Sequence, residues 1–198
     1  AWLAGCADGQ GAAAGGDMAA LAGSAEGYAQ AAPETMLSFP ADHGAHPAYR
    51  IEWWYLTANL EDPAGRPYGA QWTLFRSAQR PAAESGEDGN PWQDPQVWMA
   101  HFAITTPEEH FAFQRYARGG EHGGLARAGT RAEPFSAWLD DWRMDSETQA
   151  GAGNWLPLRL SARQDDFALD LRLTSDRPLV LQGRNGFSQK HPEGGGSH

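Results

Sequence analysis

From Phe39 onward the sequence alternates apolar and polar residues in short segments separated by Pro, Gly, Asp and Asn. A period of two places successive side chains on opposite faces of an extended chain, and it cannot give a helix one apolar stripe. Seven segments carry this pattern: Ile51–Leu60, Tyr68–Arg76, Val97–Thr105, His110–Tyr116, Phe135–Asp145, Trp155–Ala162 and Phe167–Thr174. Leu179–Gln182 reads as a short eighth. The loop from Leu60 to Pro67 joins the first two as a hairpin, and Ser77–Pro95, polar and broken by Pro and Gly, reads as a long surface loop. About eight strands in series with turn signals between them predict an antiparallel up-and-down β-barrel or a sandwich. A barrel is favoured, because closure removes the edges that strands so rich in aromatics would expose.

The first residues are of another kind. Between Ala7 and Ala32 the chain is mostly Ala and Gly, with six glycines interrupting any helix. Residues 7–37 therefore read as a flexible tether preceding one domain at residues 38–198. Cys6 is the sole cysteine, which excludes an internal disulfide and a cysteine zinc site. The run Leu3-Ala4-Gly5-Cys6 has the small residues and thiol of a lipobox, so residues 1–6 read as the remnant of a lipoprotein signal peptide. The competing reading is a stray cysteine beside an Ala-rich stretch. If the lipobox is used, the protein is lipid-anchored at the bacterial cell envelope, facing the periplasm. The net charge of −10, without a Lys/Arg stripe, excludes nucleic acid as a partner.

One stretch is distinctive: Phe39-Pro40-Ala41-Asp42-His43-Gly44-Ala45-His46-Pro47-Ala48-Tyr49-Arg50-Ile51-Glu52-Trp53-Trp54-Tyr55. With Ala100-His101-Phe102-Ala103, Ala137–Trp142 and Leu181-Gln182-Gly183 running to Lys190, it resembles the carotenoid 1,2-hydratase-like family, also called AttH-like. The resemblance covers residues 38–198 and implies a lipocalin-like fold. It also implies a second such barrel in the same chain, which makes this domain the first of two, truncated at its C-terminal end. Components of an ABC-type export system are implied as partners, and hydration of an isoprenoid double bond as a possible reaction.

Within the motif, Asp42, His43 and His46 precede the strand. Glu52, Trp54, Leu56, Ala58 and Leu60 share one of its faces; Ile51, Trp53, Tyr55, Thr57 and Asn59 share the other. If the first face lines the interior, Glu52 is a carboxyl among aromatic rings, where desolvation favours the protonated acid. Such an acid is what adding water to a carbon–carbon double bond needs, so Glu52 is the candidate catalytic residue. Against this stands a structural ion pair with Arg50, Arg76 or Lys190. His43 and His46 have metal-like spacing without an evident third ligand, so loop hydrogen bonds are the stronger reading and no metal or cofactor is expected. His101 shares a strand face with Met99 and Ala103 and is either a hydrogen-bonded core histidine or a ligand contact. Asp140 and Asp141, inside the segment read as a strand, must point to opposite faces.

The candidate ligand-binding set is Trp53, Trp54, Tyr55, His43, His46 and His101, with Cys6 for lipidation. The leading expectation is an envelope lipoprotein whose barrel binds an apolar or amphipathic small molecule. The alternatives are a hydratase with Glu52 as acid, and a structural barrel whose Trp-rich face docks a second domain.

Overall fold

The computed structural model describes residues 26–81, 95–118, 127–149, 155–190 and 195–198. Cys6, the stretch read as a signal-peptide remnant and most of the proposed tether lie outside these residues. The fold is all-β and antiparallel throughout, as the alternation predicts. Strands β1 (Ile51–Glu61), β2 (Pro67–Ala78), β3 (Gln96–Thr105) and β4 (His110–Arg118) form one up-and-down sheet. Strands β5 (Ala128–Arg131), β6 (Ser136–Leu139), β7 (Trp142–Ser146), β8 (Leu158–Gln164) and β9 (Phe167–Leu173) form a second. A small ladder, β10 (Ser188–Gln189) with β11 (Gly196–Ser197), stands apart. Among the described residues the two large sheets join through side chains rather than through ladder hydrogen bonds.

The two inner faces share one core. Trp72, Leu74 and Phe102 from the first sheet meet Leu139, Trp142 and Leu160 from the second, and all six are 1% exposed or less. Phe102 and Trp142 touch edge to face at 5.0 Å between ring centroids. Burying each of the four Leu and Phe side chains contributes about 1.5–3 kcal/mol, so this layer supplies much of the fold's stability.

Several boundaries differ from the sequence reading. Phe135–Asp145 is not one strand: Asp140 and Asp141 form a two-residue turn between β6 and β7, closed by the Leu139–Trp142 pair. Asp140 takes φ 54°, a conformation Asp tolerates better than most residues. Its carboxylate is gripped by Arg127 at 2.7 and 2.8 Å, while Asp141 pairs with Arg115. The two aspartates therefore cap a turn and do not alternate across a strand. The strand read from Trp155 begins only at Leu158, after Pro157, which has no N–H to give a ladder. Leu179–Gln182 is not a strand, and Leu179, Val180 and Leu181 are exposed. Strand β5 gave no signal because Ala-Gly-Thr-Arg contains no large apolar residue. Its Gly129 lies under the Trp138 ring, where an added Cβ would come within 2.9 Å of the ring. Residues 26–37, assigned above to the end of the tether, carry hydrogen bonds to the domain: Tyr28 Oη donates to the Ala78 carbonyl at 2.9 Å, and Ala29 N–H to Ala48 at 2.9 Å.

Candidate functional site

The loop before β1 is tied to the first sheet by charge. A 3-10 turn at Ala41–His43 follows Pro40, with Asp42 N–H donating to Ser38 at 3.0 Å and His43 N–H to Pro40 at 3.0 Å. The Asp42 carboxylate takes the Ser38 N–H in return. Beyond the turn, His46 lies between two carboxylates, its Nε2 3.1 Å from Asp42 and its Nδ1 2.6 Å from Glu52. Glu52 also accepts the His46 backbone N–H, at 2.8 and 2.9 Å, and the Nε–H of Arg76 at 2.7 Å. Arg76 is 1% exposed, and each of its nitrogens has an acceptor: Glu52, Gln96 at 2.6 Å, His46 O at 3.0 Å and Tyr49 O at 2.6 Å.

Of the two readings open for Glu52, the ion pair with Arg76 is the one present. Glu52 shares a face with Trp54, as the alternation predicts, and that face turns inward, but it is not isolated among rings: a guanidinium and a backbone N–H both donate to it. Burial pulls the pKa of His46 down, yet the hydrogen bonds and charges of Asp42 and Glu52 outweigh it and raise the net value. Burial likewise pushes Asp42 up, but the Ser38 N–H and the two histidines bring it below its ordinary value. His46 thus bridges loop and strand, with its protonated form favoured by the two carboxylates.

His43 behaves in the opposite way. Burial lowers its pKa, only partly offset by the Asp42 charge, so the neutral imidazole is favoured. Its ring stacks on Trp155 at 4.8 Å, meets Phe39 at 4.6 Å, and has Phe135 edge-on at 5.9 Å. Trp54, stacked on Trp98 at 6.0 Å, donates its Nε1–H to the His43 carbonyl at 2.9 Å and holds this part of the loop from beneath. Beside His43 opens a groove of about 470 Å³. Phe39, Trp155, Leu156 and Leu179 contribute its apolar wall, while Ser175, Asp176 and Arg177 contribute polar groups.

The residues singled out in the sequence therefore fall in three places. His43 lines the groove. His46, Glu52 and Trp54 lie behind it and fix the loop that forms its wall. Trp53 and Tyr55 are 44% and 63% exposed on the outer face of β1, and His101 lies on that same outer face, edge-on to Phe75 at 5.7 Å. The groove residues Phe39, Trp155, Leu156 and Ser175–Leu179 were not anticipated as a site. Phe39 belongs to the distinctive motif, but the others join it only through tertiary contact.

A family model described as AttH-like matches residues 30–198. A crystal structure from Nitrosomonas europaea, of a protein provisionally named AttH, superposes with a TM-score of 0.66 and 38% identity over 83% of this chain. The match spans 46% of that protein's length, so this chain corresponds to about half of it. No curated protein matches. With the family model covering most of the sequence and a solved relative of this identity, the chain belongs to the AttH-like family.

Proposed function

We propose that this domain binds an amphipathic small molecule in the groove beside His43, with the isoprenoid-like or ring-bearing part against His43 and Trp155 and the polar end at Arg177. The observation that carries the reading is the composition of the walls: an aromatic and aliphatic side facing Ser175, Asp176 and Arg177. A volume of about 470 Å³ is in the range of small-molecule sites, which are mainly apolar with a few placed polar groups. Hydration of a double bond needs a proton donor facing the ligand. Glu52 lies behind the loop with Arg76 and His46 on its oxygens, and His43 is held towards neutrality, so binding is favoured over catalysis. In this reading the protein works at the envelope, anchored through Cys6 and serving export of the bound molecule.

Titration with an anionic isoprenoid such as a prenyl phosphate, followed by tryptophan fluorescence, tests the site. Trp155→Ala should abolish the fluorescence change and Arg177→Gln should weaken binding about tenfold, the effect of losing one charge-assisted hydrogen bond. Unaltered affinity in both variants would remove the groove from consideration. Membrane fractionation of the full-length protein against Cys6→Ser tests the anchor, and equal membrane association would refute it.

A further inference from the structure

We propose that the groove beside His43 selects an amphipathic anion carrying a hydroxyl on its apolar body, and that His43 is the residue that reads this hydroxyl. The inference rests on the groove being the binding place, and it adds one functional group to the ligand.

Two histidines of the loop before β1 are used in different ways. His46 commits both ring nitrogens to the fold, Nδ1 to Glu52 and Nε2 to Asp42. His43 commits neither: among the described residues no hydrogen bond reaches its Nδ1 or Nε2, and neither nitrogen is sealed from solvent. The ring is nevertheless held in place. Trp155 stacks on it at 4.8 Å, Phe39 lies tilted at 4.6 Å, Phe135 meets it edge-on at 5.9 Å, and Trp54 Nε1–H fixes its carbonyl at 2.9 Å. A phenylalanine would pack among these rings equally well and would avoid the cost of partly desolvating two nitrogens. The nitrogens are therefore the part of His43 that packing does not explain.

Their chemistry sets the partner. Burial favours the neutral imidazole, which offers one N–H donor and one lone-pair acceptor. It supplies no charge for the anionic end of a ligand; that end belongs to Arg177, whose guanidinium has no acceptor among the described residues. Trp155, on the wall with His43, also keeps its Nε1–H without an acceptor among the described residues. A hydroxyl answers both kinds of group, its oxygen accepting from an N–H and its hydrogen going to the imidazole lone pair. A carbonyl answers only the donors. A ligand without the hydroxyl displaces water from the half-buried imidazole and returns nothing to it, which corresponds to about tenfold in affinity.

The test is a titration of octadecanoate against its monohydroxylated forms, the hydroxyl moved along the chain, read by tryptophan fluorescence on the wild type, His43→Phe and His43→Gln. The proposal expects at least one hydroxylated acid to bind the wild type about tenfold more tightly than octadecanoate. His43→Phe keeps a stacked ring and removes both nitrogens, so it should bring that ratio to about one by weakening the hydroxylated acid alone. His43→Gln, whose amide gives and takes hydrogen bonds, should retain part of the preference. Equal affinity across the series in the wild type, or a preference that survives His43→Phe, overturns the proposal and leaves the groove as the binding place. Failure of every acid to bind, in a protein that still takes up a prenyl phosphate in a Trp155-dependent way, overturns it as well. If the prenyl phosphate also fails, the groove itself is removed, and this inference with it.

Discussion

Replacing Glu52 by Gln separates the structural role of this carboxylate from any chemical one. The two side chains are isosteric, so packing beside Trp54 is kept and only charge and donor pattern change. The carboxylate uses both oxygens as acceptors, one toward Arg76 Nε and one toward His46 Nδ1, with the His46 N–H across both. A glutamine has one acceptor oxygen. If that oxygen faces Arg76, the amide N–H₂ meets His46 Nδ1, which must then give up its proton; if it is reversed, two donors meet at Arg76.

Either way a guanidinium that is 1% exposed loses its counter-charge. Breaking a buried pair by removing one partner costs about 3–5 kcal/mol, and the surviving hydrogen bond reduces this toward the lower end. For a domain of this size, about 3 kcal/mol corresponds to a fall in Tm of roughly 6–12 °C. Thermal melts and denaturant unfolding of Glu52→Gln, Arg76→Met and the double variant measure it. The double variant should be less destabilised than the sum of the two singles, since removing both charges leaves none unpaired. A Glu52→Gln protein that melts with the wild type would refute the argument, and would return Glu52 to the list of groups free to donate a proton.

Three further outcomes are expected. Below about pH 6.5 stability should fall, because His43, with its pKa lowered by burial, is protonated more in the unfolded chain; above pH 6.5 it should fall as well, once pH passes the raised pKa of His46 and the bridge loses its charge. Tm against pH should therefore form a dome: His43→Phe should flatten the acid limb just below pH 6.5, leaving the further fall below about pH 4 that comes from carboxylates such as Asp42, and His46→Gln should remove the alkaline limb. Gly129→Ala should destabilise by about 1–3 kcal/mol in urea unfolding, because the new methyl displaces the Trp138 ring from its place across β5. Trp54→Phe should cost about 1–3 kcal/mol by leaving the His43 carbonyl without its donor, with protease sensitivity rising first in the loop around Ala41–His46.

Strands with large residues on every second position were legible, and so was which residues share a face; which face turns inward was not. The β1 set of Glu52, Trp54, Leu56, Ala58 and Leu60 does turn inward, while Trp53, Tyr55 and Thr57 turn out. What failed was tertiary. Strand β5 is specified by a ring from the neighbouring strand that excludes a side chain at Gly129, and nothing in four residues without a large apolar group announces that. The Asp140-Asp141 break looked like more strand because its apolar flanks keep the alternation going; the turn is held from outside by Arg127 and Arg115. Glu52 was correctly set beside Trp54, but choosing among Arg50, Arg76 and Lys190 required the cross-strand pairing that places Arg76 directly opposite. The groove was not legible at all, since Phe39 and Arg177 are brought together only by the fold.

The four residues Glu52-Trp53-Trp54-Tyr55 carry two separate duties because a strand offers two faces. Inward, Glu52 takes Arg76 and His46 while Trp54 takes the His43 carbonyl, so two adjacent inward positions clamp two points of one loop. Outward, Trp53 and Tyr55 present rings on a stretch of the sheet that carries no acidic side chain from the Ile51 row to the Asn59 row. A slip of one residue would exchange the sets, putting Trp53 under the loop and Glu52 on the outer face. The buried guanidinium then serves as a register pin: Arg76 on β2 is opposite position 52 only in the native pairing, and in the slipped one it faces an apolar ring with its charge unmet. The ion pair that adds modest net stability thus makes the competing register several kcal/mol worse. The placement of the groove wall and of the outer aromatic row both follow from that single choice.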